Sequence, residues 1–179
     1  PESLEETLVP LHQASSGTYD PDEKILGFTR LAAQGSRTKR YMGGTAQNLW
    51  NFTAGRDEAV PLTADYPGTS KDPMWYGGRV YFATANDGTM NIWSMTPDGK
   101  DMKQHTDYKY FDVQEPELHD GNIIYQIGAD LYIYNISSDT DGKVTIYLVS
   151  DFEQRREKWI GNPSRFISSG DVSDKGDYI

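Results

Sequence analysis

Short apolar runs separated by turn signals recur along the chain, and the clearest example lies between residues 72 and 106. Two apolar runs, 80–83 and 91–95, flank an Asp87–Gly88 step that suits a hairpin turn with positive φ. A second turn signal at 97–100 leads into a short polar strand that ends at Thr106. This pattern predicts three strands of an antiparallel meander.

The neighbouring segments repeat this pattern. The aligned pairs, each 43 residues apart, are Val80 with Ile123, Phe82 with Tyr125, and Trp50 with Trp93. Ile92 aligns with Leu131 at a separation of 39, so the third hairpin is four residues shorter. Phe28 aligns with Phe82 only if the first hairpin is 11 residues longer. The strands therefore keep their register while the hairpins vary in length.

A repeat of roughly 40 to 45 residues with four strands per unit is typical of a β-propeller blade. Helical repeats would need apolar residues at i, i+3, i+4 and i+7, whereas these runs are short, aromatic and β-branched. Runs that are apolar on both faces, such as 131–134, fit blades packed between two neighbours. The predicted fold class is all-β: a propeller fragment of about three four-stranded antiparallel blades, partial flanking blades and one short helix near 151–160.

Residues 1–179 are predicted to form one partial propeller domain. A short edge strand around Pro10 would end a blade that begins before the chain, because proline cannot donate to a sheet ladder. The predicted segments are 1–20 (end of a blade), 21–66, 67–110 and 111–150 (blades), 151–167 (connecting segment) and 168–179 (start of the next blade). Since an incomplete ring leaves open strand edges, the isolated chain is expected to self-associate through them.

The predicted helix rests on a capping signal and an apolar stripe. Ser150 and Glu153 have the spacing of a capping box, and Phe152, Arg156 and Trp159 would then share one helical face. Glycine and proline residues at 161 and 163 would end the helix.

Composition excludes several classes of function. The chain has 27 acidic and 17 basic residues, a net charge of −10, which argues against nucleic-acid binding because phosphate neutralisation needs clustered lysine and arginine. No stretch approaches the roughly 20 apolar residues of a transmembrane helix, so no membrane partner is predicted. Cysteine is absent, which excludes disulfides and thiol chemistry. The compartment is not determined, although a soluble, periplasmic or otherwise extracytoplasmic location is favoured over the cytoplasm.

Candidate chemistry is sparse, and no catalytic residue, metal site or cofactor is predicted. His12, His105 and His119 lack metal-ligand spacing, and the last two, at strand ends beside turns, are predicted to be exposed structural residues. Residues 139–142 are similar to the start of a calcium-binding loop but lack its later ligands. Carboxylates suitable for glycoside hydrolysis are abundant without a distinctive pair, which leaves a propeller glycosidase as one alternative.

A basic stretch stands out in this acidic chain. Between residues 24 and 56 there is no acidic residue, and the basic ones are Lys24, Arg30, Arg37, Lys39, Arg40 and Arg56. Arg37, Lys39 and Arg40 lie in the enlarged hairpin and could hold an anion, such as a peptide carboxylate, through charge-assisted hydrogen bonds. Alternatively, the loop meets an acidic neighbouring domain or subunit, or is a solvated face.

Several stretches resemble the six-bladed propeller of tricorn protease and its bacterial homologues. They are residues 41–50, the run 91–95 continuing into 98–101, and residues 129–134. The Asp-Gly-Lys turn is shared with TolB-like propellers, but the Gly-Gly-Thr stretch at 43–45 before the Leu-Trp strand is more specific.

This resemblance implies a segment of a large serine peptidase. Tricorn-type enzymes combine a six-bladed propeller, a seven-bladed propeller, a PDZ-like domain and a catalytic region, and the propellers guide or filter peptides. No residue here matches the catalytic serine or histidine of that family, so the chain itself is predicted to be non-catalytic. Its expected partners are peptide substrates and other domains or subunits of the parent. The alternative implied by the shared turns is a TolB-like protein-binding propeller without peptidase activity.

Overall fold

The computed structural model describes residues 8–31, 43–147, 149, 152–171 and 173–176, and these contain twelve β-strands in three sheets. Blade 1 is β1 (Ser15–Tyr19), β2 (Ile25–Thr29), β3 (Leu49–Thr53) and β4 (Val60–Pro61). Blade 2 is β5 (Ser70–Tyr76), β6 (Arg79–Thr84), β7 (Asn91–Met95) and β8 (Lys103–Gln104). Blade 3 is β9 (Val113–His119), β10 (Asn122–Ile127), β11 (Asp130–Asn135) and β12 (Thr140–Lys143).

Each blade is a four-stranded antiparallel meander in which consecutive strands are neighbours. This arrangement confirms the predicted fold class, an all-β propeller fragment with three four-stranded blades. The three blades lie in one compact unit, Pro1–Val144, and a second unit comprises Thr145–Ile179.

The pairing of the two central strands confirms the sequence alignment of the blades. The equivalent cross-strand pairs are Phe28 with Trp50, Phe82 with Trp93, and Tyr125 with Tyr132. Large aromatic side chains therefore occupy the same position in every blade, where each can reach its partner across the ladder. The hairpins between these strands differ in length without shifting the register.

The first blade begins earlier than the sequence predicted. Residues 1–20 were assigned to the end of a preceding blade, but Ser15–Tyr19 pairs with Ile25–Thr29 as the first strand of blade 1. The connection is a tight hairpin: Asp20 Oδ1 accepts hydrogen bonds from the backbone N–H groups of Lys24 and Ile25 at 2.7 and 2.8 Å. The strand escaped prediction because its sequence, SSGTY, carries almost no apolar residues. The described residues 8–14, which include Pro10, form no strand.

The helix predicted near 151–160 is only one turn of 3₁₀ helix, Glu153–Arg155. Phe152 precedes it in the left-handed region with φ 56°, and Arg156 follows it in an extended conformation. A short helix is therefore present in the predicted segment, but the expectation that Phe152 and Arg156 share a helical face is wrong, because neither residue has helical backbone angles. Ser150 lies outside the described residues. A second 3₁₀ helix, Pro163–Phe166, follows.

Two apolar clusters hold the blades together. Between blades 1 and 2 the buried residues are Leu49, Val80, Phe82 and Met95. Around blades 2 and 3 they are Met74, Tyr81, Ile92, Val113, Ile123, Tyr125, Ile127 and Tyr134. Because both faces of blade 2 are covered, its central strands are buried almost throughout, which explains their continuous apolar runs.

A buried threonine secures the third strand in blades 1 and 2. Thr106 Oγ1 accepts a hydrogen bond from Ile92 N at 2.9 Å and donates one to Asn91 Oδ1 at 3.0 Å. In blade 1, Thr63 Oγ1 accepts the equivalent bond from Leu49 N at 2.9 Å. These contacts satisfy backbone N–H groups that would otherwise be buried without a partner.

Replacing Thr106 by valine is expected to lower the free energy of unfolding by about 1–3 kcal/mol, because the isosteric side chain leaves the buried Ile92 N–H unpaired. Urea denaturation of the full chain measures the loss. Thr53→Val is the control, since Thr53 is exposed on β3 and its replacement should change stability by less than about 0.5 kcal/mol. Equal effects of the two substitutions would contradict the prediction.

Candidate functional site

The first strands of the three blades enclose a cleft. β5 contacts both β1 and β9, and a cleft of about 530 Å³ lies among the three strands. Its lining comprises Ser16–Tyr19 and Pro21 near β1, residues 72–75 of β5 and residues 115–118 of β9. A cleft bounded by the same strand of successive blades is a concave surface of the kind that can receive a ligand.

Each strand that lines the cleft contains a bulge at the same position. Ser16, Asp72 and Glu115 have positive φ angles of 48°, 55° and 45°, and the ladder register is interrupted beside each of them. A bulge bends its strand and redirects side chains. The repeated bulge therefore turns the Asp72 and Glu115 side chains out of the regular alternation at the cleft.

The cleft combines carboxylates with an apolar wall. Lys71 Nζ lies 3.0 Å from Asp72 Oδ2 and 3.9 Å from Glu115 Oε1, so the cation is shared between two blades. Asp72 Oδ2 accepts no hydrogen bond from the described residues and is held by this ion pair. The Glu115 side chain remains 85% exposed, and Glu117, which also lines the cleft, is exposed as well, so both present carboxylates to solvent there. Trp75 Nε1 donates to Thr18 O at 3.2 Å, which fixes the indole at the blade 1 side.

The predicted anion site, Arg37, Lys39 and Arg40, lies outside the described residues. Its flanks are described: Arg30 places its guanidinium 4.2 Å from the centroid of the Trp50 ring, and Arg30 N donates to Asn48 O at 3.1 Å. The enlarged hairpin therefore begins and ends at the adjoining ends of β2 and β3.

A network of five polar side chains links blade 2 to blade 3, and it is called here the His105 network. Its members are Arg79, Ser94, His105, Tyr134 and Asp139. His105 Nε2 lies 2.7 Å from Ser94 Oγ, and Nδ1 lies 2.7 Å from Tyr134 Oη. Tyr134 Oη donates to Asp139 Oδ1 at 2.6 Å, and Arg79 Nε donates to Ser94 Oγ at 2.9 Å.

The prediction that His105 and His119 are both exposed is correct for His119 and wrong for His105. The His105 side chain is only 3% exposed. The imidazole packs between Tyr81 and Tyr134, with ring centroids 5.1 and 5.3 Å away. The sequence could not reveal this burial because Tyr134 comes from the next blade.

The His105 network contains a serine, a histidine and an aspartate, but its geometry is not that of a nucleophile. Ser94 is completely buried and its oxygen accepts a hydrogen bond from Arg79. His105 Nδ1 lies 3.7 Å from Asp139 Oδ1, with the Tyr134 hydroxyl bridging the two. A catalytic nucleophile needs access to substrate. The arrangement therefore serves to join the blades.

Burial and neighbouring charges shift the pKa values of three side chains in the His105 network. Burial lowers the pKa of His105, with the Lys103 charge acting in the same direction and Asp139 acting against it. The hydrogen bond from Tyr134 lowers the pKa of Asp139. Burial and the Asp139 carboxylate raise the pKa of Tyr134. The network is thus stable with a neutral imidazole, a neutral phenol and an ionised carboxylate.

Of residues 139–142, which are similar to the start of a calcium loop, Asp139 lies in the turn before β12 and the other three lie within this strand. Asp141 Oδ2 accepts hydrogen bonds from Tyr108, in the segment that connects blades 2 and 3, and from Tyr125 of blade 3. Burial and Asp141 raise the pKa of Tyr108. Within the described ranges, no group of three or more His, Cys, Asp and Glu side chains is arranged to hold a metal ion.

In the same part of the chain, no helix is long and apolar enough to cross a membrane.

Known proteins share this architecture. The chain is 30% identical over 142 residues to the tricorn protease of Thermoplasma acidophilum, and 28% identical over 141 residues to a tricorn protease homolog of Saccharolobus solfataricus. Both alignments cover 79% of this chain and 13% of the relative, so the chain spans only a small part of these proteins.

Solved structures agree on the fold. The crystal structure of the tricorn protease superposes with a TM-score of 0.65 at 23% identity, over 76% of this chain and 13% of that one. A putative TolB from Agrobacterium tumefaciens superposes with a TM-score of 0.55 at 14% identity, over 70% of this chain and 46% of that one.

The family assignment comes from residues 1–140, which match the family model described as the tricorn protease N-terminal beta propeller domain. These residues include all of blades 1 and 2 and the first three strands of blade 3. With this match and three sheets that repeat as propeller blades, the chain belongs to the family of tricorn protease N-terminal β-propeller domains.

Proposed function

We propose that the chain is a non-catalytic propeller segment of a tricorn-like serine peptidase, where it guides or filters peptides and contacts other domains or subunits. The observation that carries the proposal is the cleft among β1, β5 and β9. Family membership supports it, since the relatives named above are tricorn proteases of much greater length.

The cleft suits an extended peptide in size and in backbone chemistry. Its volume of about 530 Å³ lies in the range of small-ligand pockets. The strands that line it, β1, β5 and β9, are each at the edge of their sheet. An edge strand offers unpaired N–H and C=O groups that an extended chain can use. Peptide segments of varied sequence could therefore be held through backbone contacts.

Charge gives the proposed peptide a preferred orientation. Glu115 presents an exposed carboxylate in the cleft, where a peptide ammonium group would be favoured. Arg37, Lys39 and Arg40 in the enlarged hairpin are proposed to attract the peptide carboxylate. An acidic cleft and a basic loop together match the two charged ends of a peptide.

A first experiment tests the class of the parent protein. A fluorophosphonate probe is expected to label the intact parent and to leave this 179-residue chain unlabelled, because the nucleophile of a serine peptidase would lie elsewhere. Absence of labelling in both would favour a TolB-like binding propeller, whose fold this chain shares. Labelling of the isolated chain would overturn the non-catalytic assignment.

A second experiment tests the cleft and the loop in the intact parent. Glu115→Lys is expected to lower kcat/KM for a long peptide by about three- to tenfold, because the peptide would bind in the cleft, where the charge at position 115 is now reversed. The kcat/KM for a small ester should not change, because the ester would not bind in the cleft. Asp120→Lys is the matched control, because Asp120 is also exposed with a similar positive φ, 46° against 45°, and does not line the cleft. Alanine at Arg37, Lys39 and Arg40 together should weaken peptide binding. Unchanged peptide kinetics in both variants would contradict the proposal.

A further inference from the structure

The His105 network has only one consistent direction for its hydrogen bonds. Tyr134 uses its single proton to bond Asp139 Oδ1. His105 Nδ1 must therefore carry a proton and donate it to Tyr134 Oη. His105 Nε2 is then unprotonated and accepts the Ser94 hydroxyl proton, while the Ser94 oxygen accepts from Arg79 Nε. Every polar atom along this path is satisfied with a neutral imidazole.

A proton added to His105 has no place in this arrangement. Nε2–H would point at Ser94 Oγ, which already faces the Arg79 donor and would need a new acceptor for its own proton. The imidazole is nearly excluded from water, so solvent cannot compensate for the lost bond. The charged and titratable groups that face it are Arg79 and Tyr81 from β6, Lys103 from β8, Tyr134 from β11 and Asp139 from the turn before β12.

We propose that the His105 network is a pH-sensitive contact, in which binding of a proton to His105 loosens the attachment of blade 3 to blade 2. Asp139 is the nearest negative charge, but it is held by Tyr134 and by Lys103 Nζ at 3.4 Å. Two cations, Arg79 and Lys103, oppose a positive imidazole from the blade 2 side. The tyrosines of the apolar cluster shared by the two blades have pKa values raised above that of an exposed tyrosine, so they stay neutral between pH 5 and pH 8. The cluster therefore persists when His105 binds a proton, and the chain should loosen at this interface before it unfolds.

The direction of the pH effect follows from linkage. Burial places the pKa of folded His105 below that of the exposed side chain. Between these two values the opened state binds more protons than the closed state, so stability falls as pH falls. The contact is complete above the pKa of an exposed histidine, about 6.5, and is lost progressively below it. Because β9 of blade 3 forms one wall of the cleft, the loosening would also alter the cleft.

Hydrogen exchange of the full chain between pH 8 and pH 5 tests the proposal. Protection factors of amides in β10 and β11 are expected to fall below about pH 6.5, by up to about tenfold per pH unit for one linked proton. Amides in β2 and β3 of blade 1 should not show this additional slope. His105→Gln removes the titrating group and should abolish the slope in blade 3. His119→Gln is the matched control, since His119 is exposed and its replacement should leave the slope unchanged.

Two further measurements keep the proposal testable if His105→Gln fails to fold. The ¹⁵N resonances of the His105 imidazole at pH 8 should report a proton on Nδ1 and none on Nε2. Tyr134→Phe breaks the path without removing the histidine, so blade 3 protection should fall at pH 8 and depend less on pH. The proposal would be overturned if amide protection in blade 3 depended on pH equally in the native chain and in His105→Gln. A proton on His105 Nε2 at pH 8 would also overturn it.

Discussion

Replacement of Phe82 by alanine is expected to lower the free energy of unfolding by about 3–5 kcal/mol. Phe82 is fully buried at the centre of β6 and belongs to the apolar cluster with Leu49, Val80 and Met95. The wall opposite the ring is formed by another blade, so the surrounding side chains can collapse only partly into the space left by the ring. The cost therefore includes both lost burial and the remaining cavity.

Urea denaturation of the full chain measures this loss, and hydrogen exchange locates it. Protection should fall most in β2 and β3, because Phe82 fills the interface between blades 1 and 2. Phe111→Ala is the control, since Phe111 is 61% exposed and its truncation should cost less than about 1 kcal/mol. If Phe82→Ala does not fold, Phe82→Leu retains most of the apolar volume and should show a smaller loss in the same direction. A loss below about 1 kcal/mol for Phe82→Ala would contradict the described packing.

The sequence predicts those features of the fold that depend on short segments, such as apolar runs and the turns beside them. Phe28, Phe82 and Tyr125 each sit in an apolar run beside a turn signal, so they could be aligned from blade to blade. The structure confirms this alignment, because each of the three pairs with an aromatic residue at the equivalent position of the next strand. Burial on both faces produces such runs in the central strands of blade 2. The fold class and the strand register of the blades were therefore accessible from the sequence.

The features that it missed depend on contacts between distant residues or on polar strands. Strand β1 lines the cleft and has the polar sequence SSGTY. It therefore lacks the apolar run by which other strands were predicted. His105 is buried only because Tyr134, 29 residues later, packs against it from another blade. The bulges at Asp72 and Glu115 recur 43 residues apart, and in the sequence each of these residues is followed by a proline. This recurrence is a signal for the cleft, but it cannot show that the two strands line the same cleft.

Replacement of Gly121 by alanine is the second substitution with a large expected effect, about 2–4 kcal/mol, because two costs combine. Gly121 has φ +72°, a conformation that costs alanine about 1–2 kcal/mol. A β-carbon at this position would also lie 2.7 Å from Tyr76 Oη and 2.9 Å from Tyr76 Cζ. Tyr76 is partly buried and packs against the apolar cluster shared by blades 2 and 3, so a shift of its ring away from the new β-carbon would disturb that packing.

A matched substitution separates the two costs. Gly78 has a similar φ of +76° and open space where a β-carbon would lie, so Gly78→Ala carries the backbone cost alone. The excess destabilisation of Gly121→Ala over Gly78→Ala in urea denaturation then measures the contact with Tyr76. In a Tyr76→Ala background this excess should disappear, because neighbouring residues that share a steric contact are not additive. Equal losses for the two glycine substitutions in the native background would mean that the Tyr76 ring does not lie against the turn of blade 3, and the described contact between blades 2 and 3 would be wrong at this point.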